Sequence, residues 1–222
     1  MKRIAVYIHG KGGSAAEAGH YKSLLKDHEV IGFDYKAETP WDAVIEFRRF
    51  FASLNDYDSV LLIANSIGAY FTLMALDGAA GTPLKLERAL LISPVVDMEK
   101  LISNMMLWSN VSEDDLRTRG EIPTNFGEAL SWKYLCYVRE HPIRWNVCCC
   151  NANGDRHGSA RFVPTDILYG STDNLTSFDV IRDFATRSGA SLTVMESGEH
   201  WFHTVEQMKF LDCWIERCVR LR

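Results

Sequence analysis

The sequence predicts an α/β protein with a mostly parallel six-stranded sheet and helices on both faces of that sheet. Two observations carry this prediction. Short apolar runs alternate with helix-length amphipathic segments, and the apolar runs are continuous, as in residues 58–64. Alternating strands and helices build a parallel sheet through crossover connections. A continuous apolar run is typical of a strand that is covered on both faces.

Six strands and five helices follow from this pattern. The strands are predicted at residues 4–8, 28–35, 58–64, 89–92, 165–169 and 192–195. The helices are predicted at residues 14–26, 41–54, 66–76, 177–187 and 201–220. Pro40 stands at a helix start, where a missing N–H is tolerated, and Gly78 marks a helix end.

The alternation is interrupted once, in residues 97–163, between the fourth and fifth strands. A helical face is expected there from the spacing of apolar residues Met98, Leu101, Ile102, Met105 and Met106. Residues 128–139 are predicted as a second helix and residues 151–159 as a polar loop. Because strands on both sides contribute to one sheet, we expect a single domain over residues 1–222, with residues 97–163 as a mostly helical lid inserted after the fourth strand.

Composition and charge exclude several classes of protein. The 222 residues carry a net charge of −5 and show no strongly basic patch, so nucleic acid is not an expected partner. Apolar runs are too short to cross a bilayer, and the N-terminus lacks a signal-peptide pattern, so we expect a cytoplasmic protein without a membrane partner. The adjacent Cys148, Cys149 and Cys150 do not have the spacing of a zinc site. We therefore expect free thiols, no metal and no cofactor.

A serine at the end of the third strand is the first candidate for chemistry. In open parallel sheets, ligands bind beyond the carboxyl ends of the strands. Ser66 follows a buried strand directly and has the small residues Ala64 and Gly68 two positions to either side. A sharp strand-to-helix turn of this kind exposes the hydroxyl and directs a helix N-terminus at it, which stabilises developing negative charge. Taken alone, Ser66 is equally consistent with a helix N-cap.

Two later strand ends supply the groups that a serine nucleophile needs. A neutral serine requires a base, which is itself oriented by an acid. Asp173 follows the fifth predicted strand, and His200 follows the sixth. The three residues therefore occur in the order serine, aspartate, histidine, each at the carboxyl end of a strand.

These motifs resemble those of the α/β-hydrolase superfamily, in which nucleophile, acid and base have this order. The matching segments are residues 9–13 (HGKGG), the turn at Ser66, residues 170–173 (GSTD) and residues 198–200 (GEH). The resemblance covers nearly the whole chain outside residues 97–163. It departs from the superfamily in one motif position, because Ala64 replaces the first glycine of G-x-S-x-G. The pattern also lacks the usual first hairpin, as in compact members.

The resemblance implies a role for each residue. Ser66 would be the nucleophile, and His200 would be the general base and then the acid for the leaving group. Asp173 would orient the imidazole and stabilise its cation. The backbone N–H groups of Ile67 and Lys11 would form the oxyanion hole.

Two of these roles have a competitor in the sequence. His203 lies three residues after His200 on the predicted final helix, but His200 is favoured because it directly follows the Gly-Glu pair of the loop. Asp97 competes with Asp173, since some relatives place the acid after the preceding strand. The alternative role for Asp97 is the N-cap of the first helix of the insertion.

The insertion is expected to cover the site, as it does in relatives. Met98, Ile102 and Met105, together with Trp201 beside His200, would then line the substrate pocket. The commoner fate of such an apolar stripe is to pack against the sheet. Apolar walls with few polar anchors favour an acyl or aromatic group in the substrate.

The leading hypothesis is therefore a serine hydrolase, without cofactor, that acts through an acyl-enzyme on a small-molecule acyl or aromatic ester. A serine peptidase or amidase with the same triad is an alternative. So is a non-catalytic binding member of the fold, and so is carbon–carbon bond cleavage, since one fold hosts many functions.

Overall fold

A computed structural model describes residues 1–77, 84–144, 148–149 and 161–220. In chain order these residues form β1 (Arg3–Ile8), a 3-10 helix (Ala15–Lys22), β2 (Glu29–Phe33), α1 (Pro40–Ala52), β3 (Ser59–Asn65), α2 (Ser66–Leu76), β4 (Leu86–Ile92), α3 (Met98–Trp108), α4 (Glu113–Arg119), β5 (Glu121–Pro123), β6 (Ala129–Ser131), α5 (Trp132–Glu140), β7 (Cys148–Cys149), β8 (Arg161–Phe162), β9 (Thr165–Gly170), α6 (Phe178–Ser188), β10 (Ser191–Met195) and α7 (Val205–Arg220). The predicted polar loop 151–159, the side chains of Cys148–Cys150 and the predicted helix end at Gly78 lie outside the described residues.

Six of the strands form one sheet in the order β2-β1-β3-β4-β9-β10. Every pair in this sheet is parallel, so the predicted six-stranded α/β architecture is confirmed. β1 has β2 on one side and β3 on the other, so the connection after β1 leads to one edge of the sheet and the connection after β2 crosses back to the other side of β1. The loops after β1 and β3 therefore meet at the point where the strand order reverses, which is where such sheets bind ligands.

Side chains of the central strands alternate between two apolar layers, as the two-residue period of a strand requires. One layer contains Ile4, Val6 and Ile8 and packs against α1, α2 and α6. The other layer contains Ala5 and Tyr7 and packs against the 3-10 helix and α7. Both faces of the sheet are therefore covered, which accounts for the continuous apolar runs in the sequence.

The insertion between β4 and β9 packs on the same side of the sheet as α1 and α2. Its buried side chains, which include Ile102, Leu116 and Leu135, belong to one continuous apolar cluster with the sheet. The segment is less helical than predicted, because β5 and β6 form an antiparallel hairpin and β7 pairs with β8.

Two predicted helix starts are wrong. The helix predicted at residues 128–139 begins at Trp132, because Leu130 is buried in β6 and Ser131 caps α5 by accepting the N–H of Tyr134 at 3.3 Å. The helix predicted at residues 201–220 begins only at Val205. There Thr204 and Gln207 form a reciprocal capping box, with Gln207 N–H donating to Thr204 Oγ1 at 3.2 Å. The segment from 201 to 204 is therefore a loop.

Gly68 fixes the closest approach between α2 and the end of β1. A Cβ atom at Gly68 would lie 2.2 Å from the carbonyl oxygen of His9 and 3.0 Å from that of Ile8. Neither backbone oxygen can move far, since both belong to or follow a central strand. Ala64, by contrast, is fully buried in β3 and accommodates its methyl group. This explains why the first small position of the turn accepts alanine and the second requires glycine.

No helix among the residues that the structure describes is long and apolar enough to cross a membrane.

We predict that Gly68→Ala lowers the free energy of unfolding by about 1–3 kcal/mol, as overpacked cores do. Urea denaturation followed by circular dichroism measures this change. Gly19→Ala is the matched control, because Gly19 is exposed in the 3-10 helix and a Cβ there meets nothing within 4 Å. Equal stability of the two variants would contradict the proposed close approach.

Candidate active site

Ser66 stands at the sharp turn between β3 and α2 with a backbone φ of +51°. This left-handed conformation is uncommon for a residue with a side chain and marks local strain. The loop after β4 holds this turn, since the N–H of Val95 donates to the carbonyl of Ser66 at 3.2 Å. The serine hydroxyl is thereby fixed at the carboxyl edge of the sheet.

The structure brings Ser66, His200 and Asp173 together in one chain of hydrogen bonds. Ser66 Oγ lies 2.8 Å from Nε2 of His200, and Nδ1 of His200 lies 2.7 Å from Oδ2 of Asp173. The imidazole thus spans a hydroxyl and a carboxylate with its two ring nitrogens. This arrangement allows the histidine to accept a proton from the serine while the carboxylate stabilises the resulting cation.

The side chain of Asp173 is fully buried, and both of its carboxylate oxygens accept hydrogen bonds. Oδ1 accepts the N–H of Leu175 at 2.8 Å and that of Thr176 at 3.0 Å, while Oδ2 faces His200. The side chain of Asp173 is 0% exposed and that of His200 is 13% exposed. Three N–H groups compensate for burying the carboxylate, which also fixes its direction.

The loop after β10 contacts the loop after β9, and this contact places His200 near Ser66. The loop after β10 crosses the end of β9, where a Cβ atom on Gly170 would lie 2.4 Å from the carbonyl oxygen of Gly198. The same carbonyl accepts the N–H of Thr172 at 2.8 Å. The glycines of the GSTD and GEH segments therefore let the aspartate loop and the histidine loop touch.

The competing residues lie elsewhere. Asp97 caps α3 by accepting the N–H of Lys100 at 2.9 Å. His203 faces away from the hydrogen-bond chain, with Nδ1 at 2.7 Å from the carbonyl of Trp201, and its side chain is 44% exposed. Asp97 therefore has the capping role that the sequence left open, and neither residue joins the hydrogen-bond chain of Ser66.

Ile67 and Lys11 lie near Ser66, and no backbone acceptor for either N–H is found among the residues that the structure describes. Ile67 is the second residue of α2, where a backbone N–H has no acceptor within the helix. Lys11 lies in the loop after β1, and a Cβ on the preceding Gly10 would be 3.1 Å from Cβ of Ser66. Both residues line the same cavity as Ser66.

That cavity has a volume of about 650 Å³ and opens over the serine. Its apolar walls come mainly from the insertion, with Met98, Leu101, Ile102, Met105, Trp108, Phe126 and Leu130 joined by Val95 and Leu175. Cavities of this size and apolar character are typical of small-molecule sites.

Three of the four residues expected in a substrate pocket line this cavity, namely Met98, Ile102 and Met105. Trp201 does not. Its side chain is 68% exposed and stacks on the ring of His203 with centroids 4.8 Å apart. Trp201 differs from the expectation because α7 begins only at Val205, so Trp201 lies in the loop before the helix and is turned outwards.

Sequence reasoning missed the polar residues of the cavity, which come from the β5–β6 hairpin and from α5. They include Asn125, Glu128, Ser131 and Tyr134. The hairpin strands have only three residues each, too short for a visible two-residue period. The turn signal between Pro123 and Gly127 was the available indication.

Two tyrosines near the cavity carry buried hydroxyl groups without a hydrogen-bond partner among the described residues, Tyr70 and Tyr134. Burial raises the pKa of Tyr134, and the nearby Glu128 carboxylate raises it further. The pKa of Tyr70 is raised mainly by burial as well. Both remain neutral phenols at physiological pH. Within the ranges that the structure describes, no group of three or more potential metal ligands is found.

Comparison with known proteins supports the architecture. No family model matches the chain, and no curated protein matches it. Among solved structures, Est1E from Butyrivibrio proteoclasticus, also solved with ferulic acid bound, aligns with a TM-score of 0.74 and 13% identity over 98% of this chain and 87% of its own. The Pyrococcus furiosus esterase Pf2001 aligns with a TM-score of 0.57 and 18% identity, over 98% and 80% of the two chains.

A third structure is described as an alpha/beta hydrolase enzyme. That neighbour, MGS-MChE2 from the metagenome of lagoon sediments, aligns with a TM-score of 0.60 and 16% identity over 99% of this chain and 93% of its own. At these identities the likeness concerns the fold. Together with the parallel sheet and the order of its loops, it shows that the chain has the fold of the α/β-hydrolase superfamily.

Proposed function

We propose that this protein is a serine hydrolase that cleaves carboxylic esters through an acyl-enzyme. The observation that carries the proposal is the unbroken hydrogen-bond chain from Ser66 through His200 to the buried Asp173, with 2.8 and 2.7 Å between the atoms. The serine sits on a strained turn at the helix N-terminus, where developing negative charge is favoured. The structural neighbours named above include esterases, which is consistent with this reaction class.

In the first half-reaction, Ser66 Oγ attacks the carbonyl carbon of the ester while Nε2 of His200 takes the hydroxyl proton. The carbonyl oxygen becomes an oxyanion, which the backbone N–H groups of Ile67 and Lys11 stabilise. Loss of one such donor costs about 3–4 kcal/mol of transition-state stabilisation. His200 then gives its proton to the leaving alcohol, and the acyl group remains on the serine.

In the second half-reaction, water replaces the alcohol. His200 takes a proton from the water, whose oxygen attacks the acyl carbon. The second tetrahedral intermediate collapses as the proton returns to Ser66, and the carboxylic acid leaves. Asp173 keeps its charge throughout and stabilises the imidazolium in both half-reactions.

The apolar cavity is where we place the acyl or aryl part of the substrate. Five apolar side chains of α3, with Phe126 and Leu130 of the hairpin, surround a space that suits a medium-length chain or a single aromatic ring. The non-catalytic alternative would leave the histidine turned away from the serine, whereas His200 faces Ser66 directly.

We predict that a fluorophosphonate probe labels Ser66 and that Ser66→Ala abolishes both labelling and hydrolysis of p-nitrophenyl acetate. Mass spectrometry of the labelled protein locates the adduct. Ser103→Ala is the matched control, since Ser103 is exposed on α3 and bonds only its own helix. Absence of labelling in the folded wild-type protein would contradict the proposed serine-hydrolase function. Turnover of aminoacyl-arylamides faster than that of esters would instead favour the amidase alternative.

We predict that Asp173→Asn lowers kcat by about 10⁴-fold, because the amide holds the imidazole in the wrong tautomer. Steady-state kinetics with p-nitrophenyl esters measures this loss. Asp97→Asn is the control that separates the two candidate acids. Asparagine caps a helix as well as aspartate does, so this variant retains wild-type activity. The reverse pattern would assign the acid role to Asp97.

We predict that Met105→Trp shortens the acyl chain that the enzyme prefers. The larger ring fills part of the cavity, and each methylene that loses its contact costs about 0.8 kcal/mol. Octanoyl esters should therefore lose about tenfold or more in kcat/KM, while acetyl esters change little. Leu107→Trp is the control, because Leu107 is on the same helix but 77% exposed. Equal losses for both chain lengths would place the acyl group elsewhere.

A further inference from the structure

One side chain of the insertion reaches the loop that carries a proposed oxyanion donor. Glu128, at the end of the β5–β6 turn, accepts a hydrogen bond and ion pair from Nζ of Lys11. The two residues are 117 positions apart in the sequence. Both line the cavity that contains Ser66. This contact links the insertion directly to the loop after β1, which we call the oxyanion loop (residues 9–13).

The first residues of the oxyanion loop are fixed, because the hydroxyl of Tyr35 donates to the carbonyl of His9 at 2.9 Å and Nδ1 of His9 lies 2.8 Å from the carbonyl of Gly10. Lys11 is flanked by Gly10 on one side and by Gly12 and Gly13 on the other, and Gly12 has a φ of +74°. Glycines leave the backbone conformationally free. A further hydrogen bond joins Gly13 N–H to the carbonyl of Gly10 at 3.2 Å and so spans Lys11 without using its N–H. These hydrogen bonds hold the residues on either side of Lys11, while its own side chain is held, among the described residues, by Glu128.

Glu128, in contrast, is attached to a well-fixed backbone. Its carbonyl accepts the N–H of Thr124 at 2.9 Å, which closes the hairpin turn. The adjacent strands are anchored by Ile122 and Leu130, which are buried in the main apolar cluster. The hairpin thus presents the carboxylate from a fixed backbone to Lys11, which stands between glycines.

We propose that Glu128 is a positioning residue, which holds Lys11 through its side chain so that the backbone N–H of Lys11 points at the oxyanion. The proposal rests on the serine-hydrolase function given above. It makes the oxyanion hole complete only when the hairpin of the insertion lies against the oxyanion loop. Glu128 touches neither the serine nor the imidazole, and acts on the reaction only through Lys11.

The test compares wild type, Glu128→Gln, Lys11→Glu and the charge-swapped double variant Lys11→Glu/Glu128→Lys, with kcat and KM measured on p-nitrophenyl butyrate. All four retain the backbone N–H at position 11. An aryl boronic acid, which forms a tetrahedral adduct with an active serine, reports oxyanion binding without turnover. Because exposed ion pairs contribute little to global stability, Tm should be unchanged in Glu128→Gln. Asp114→Asn is the control, since it breaks an exposed ion pair with Arg117 elsewhere in the insertion.

For Glu128→Gln we expect kcat to fall by about tenfold, part of the 10²–10³-fold that loss of a whole oxyanion donor costs. Boronate affinity should fall by a similar factor, with KM nearly constant. The double variant should recover most of the lost kcat, and Asp114→Asn should keep wild-type kinetics.

Wild-type kcat in Glu128→Gln, a change confined to KM, or a double variant no better than Lys11→Glu would overturn the positioning role. Inactive wild-type protein would overturn the proposed function itself, so the two failures are distinguishable.

Discussion

The hydrogen bond between His200 and the buried carboxylate of Asp173 is the interaction on which the candidate site depends. The carboxylate is fully removed from water and held by two backbone N–H groups, so its remaining oxygen has a single direction in which to accept. That direction sets the plane of the imidazole and brings Nε2 to Ser66. Without a fixed Asp173, nothing in this hydrogen-bond chain would set the orientation of the His200 imidazole on its loop.

The sheet makes this interaction possible by placing four loops at one edge. The serine follows the central strand β3, while the aspartate and histidine follow β9 and β10 at the far side of the sheet. The two loops close the distance by touching at Gly170 and Gly198. On the other side, Gly68 lets α2 pack directly against the end of β1, which brings the oxyanion loop to the serine. Close backbone contacts, more than side-chain chemistry, determine where the site lies.

Much of the fold could be predicted from the sequence because parallel strands and their helices are locally encoded. The bounds of α2 agree with the prediction, since a buried strand, a small-residue turn and an apolar helix follow one another without interruption. The start of α7 could not be read from periodicity, because Trp201 and Phe202 are apolar residues in a loop and Thr204 defines the cap. The three-residue strands of the hairpin are likewise shorter than any period that a pattern can display.

The candidate site was less predictable in its contacts than in its residue types. The positions of Ser66, Asp173 and His200 at predicted strand ends identified them as candidates. The distances between them arise from long-range packing, which no local pattern contains. The link between Lys11 and Glu128 is of the same kind, since it joins two loops that are remote in sequence. The most direct measurement is a pre-steady-state experiment with a p-nitrophenyl ester, followed by rapid acid quench and mass analysis of the peptide that contains Ser66. We predict a burst of p-nitrophenol and a stoichiometric acyl adduct on Ser66, whereas turnover with an adduct on another residue would contradict the proposed acyl-enzyme mechanism.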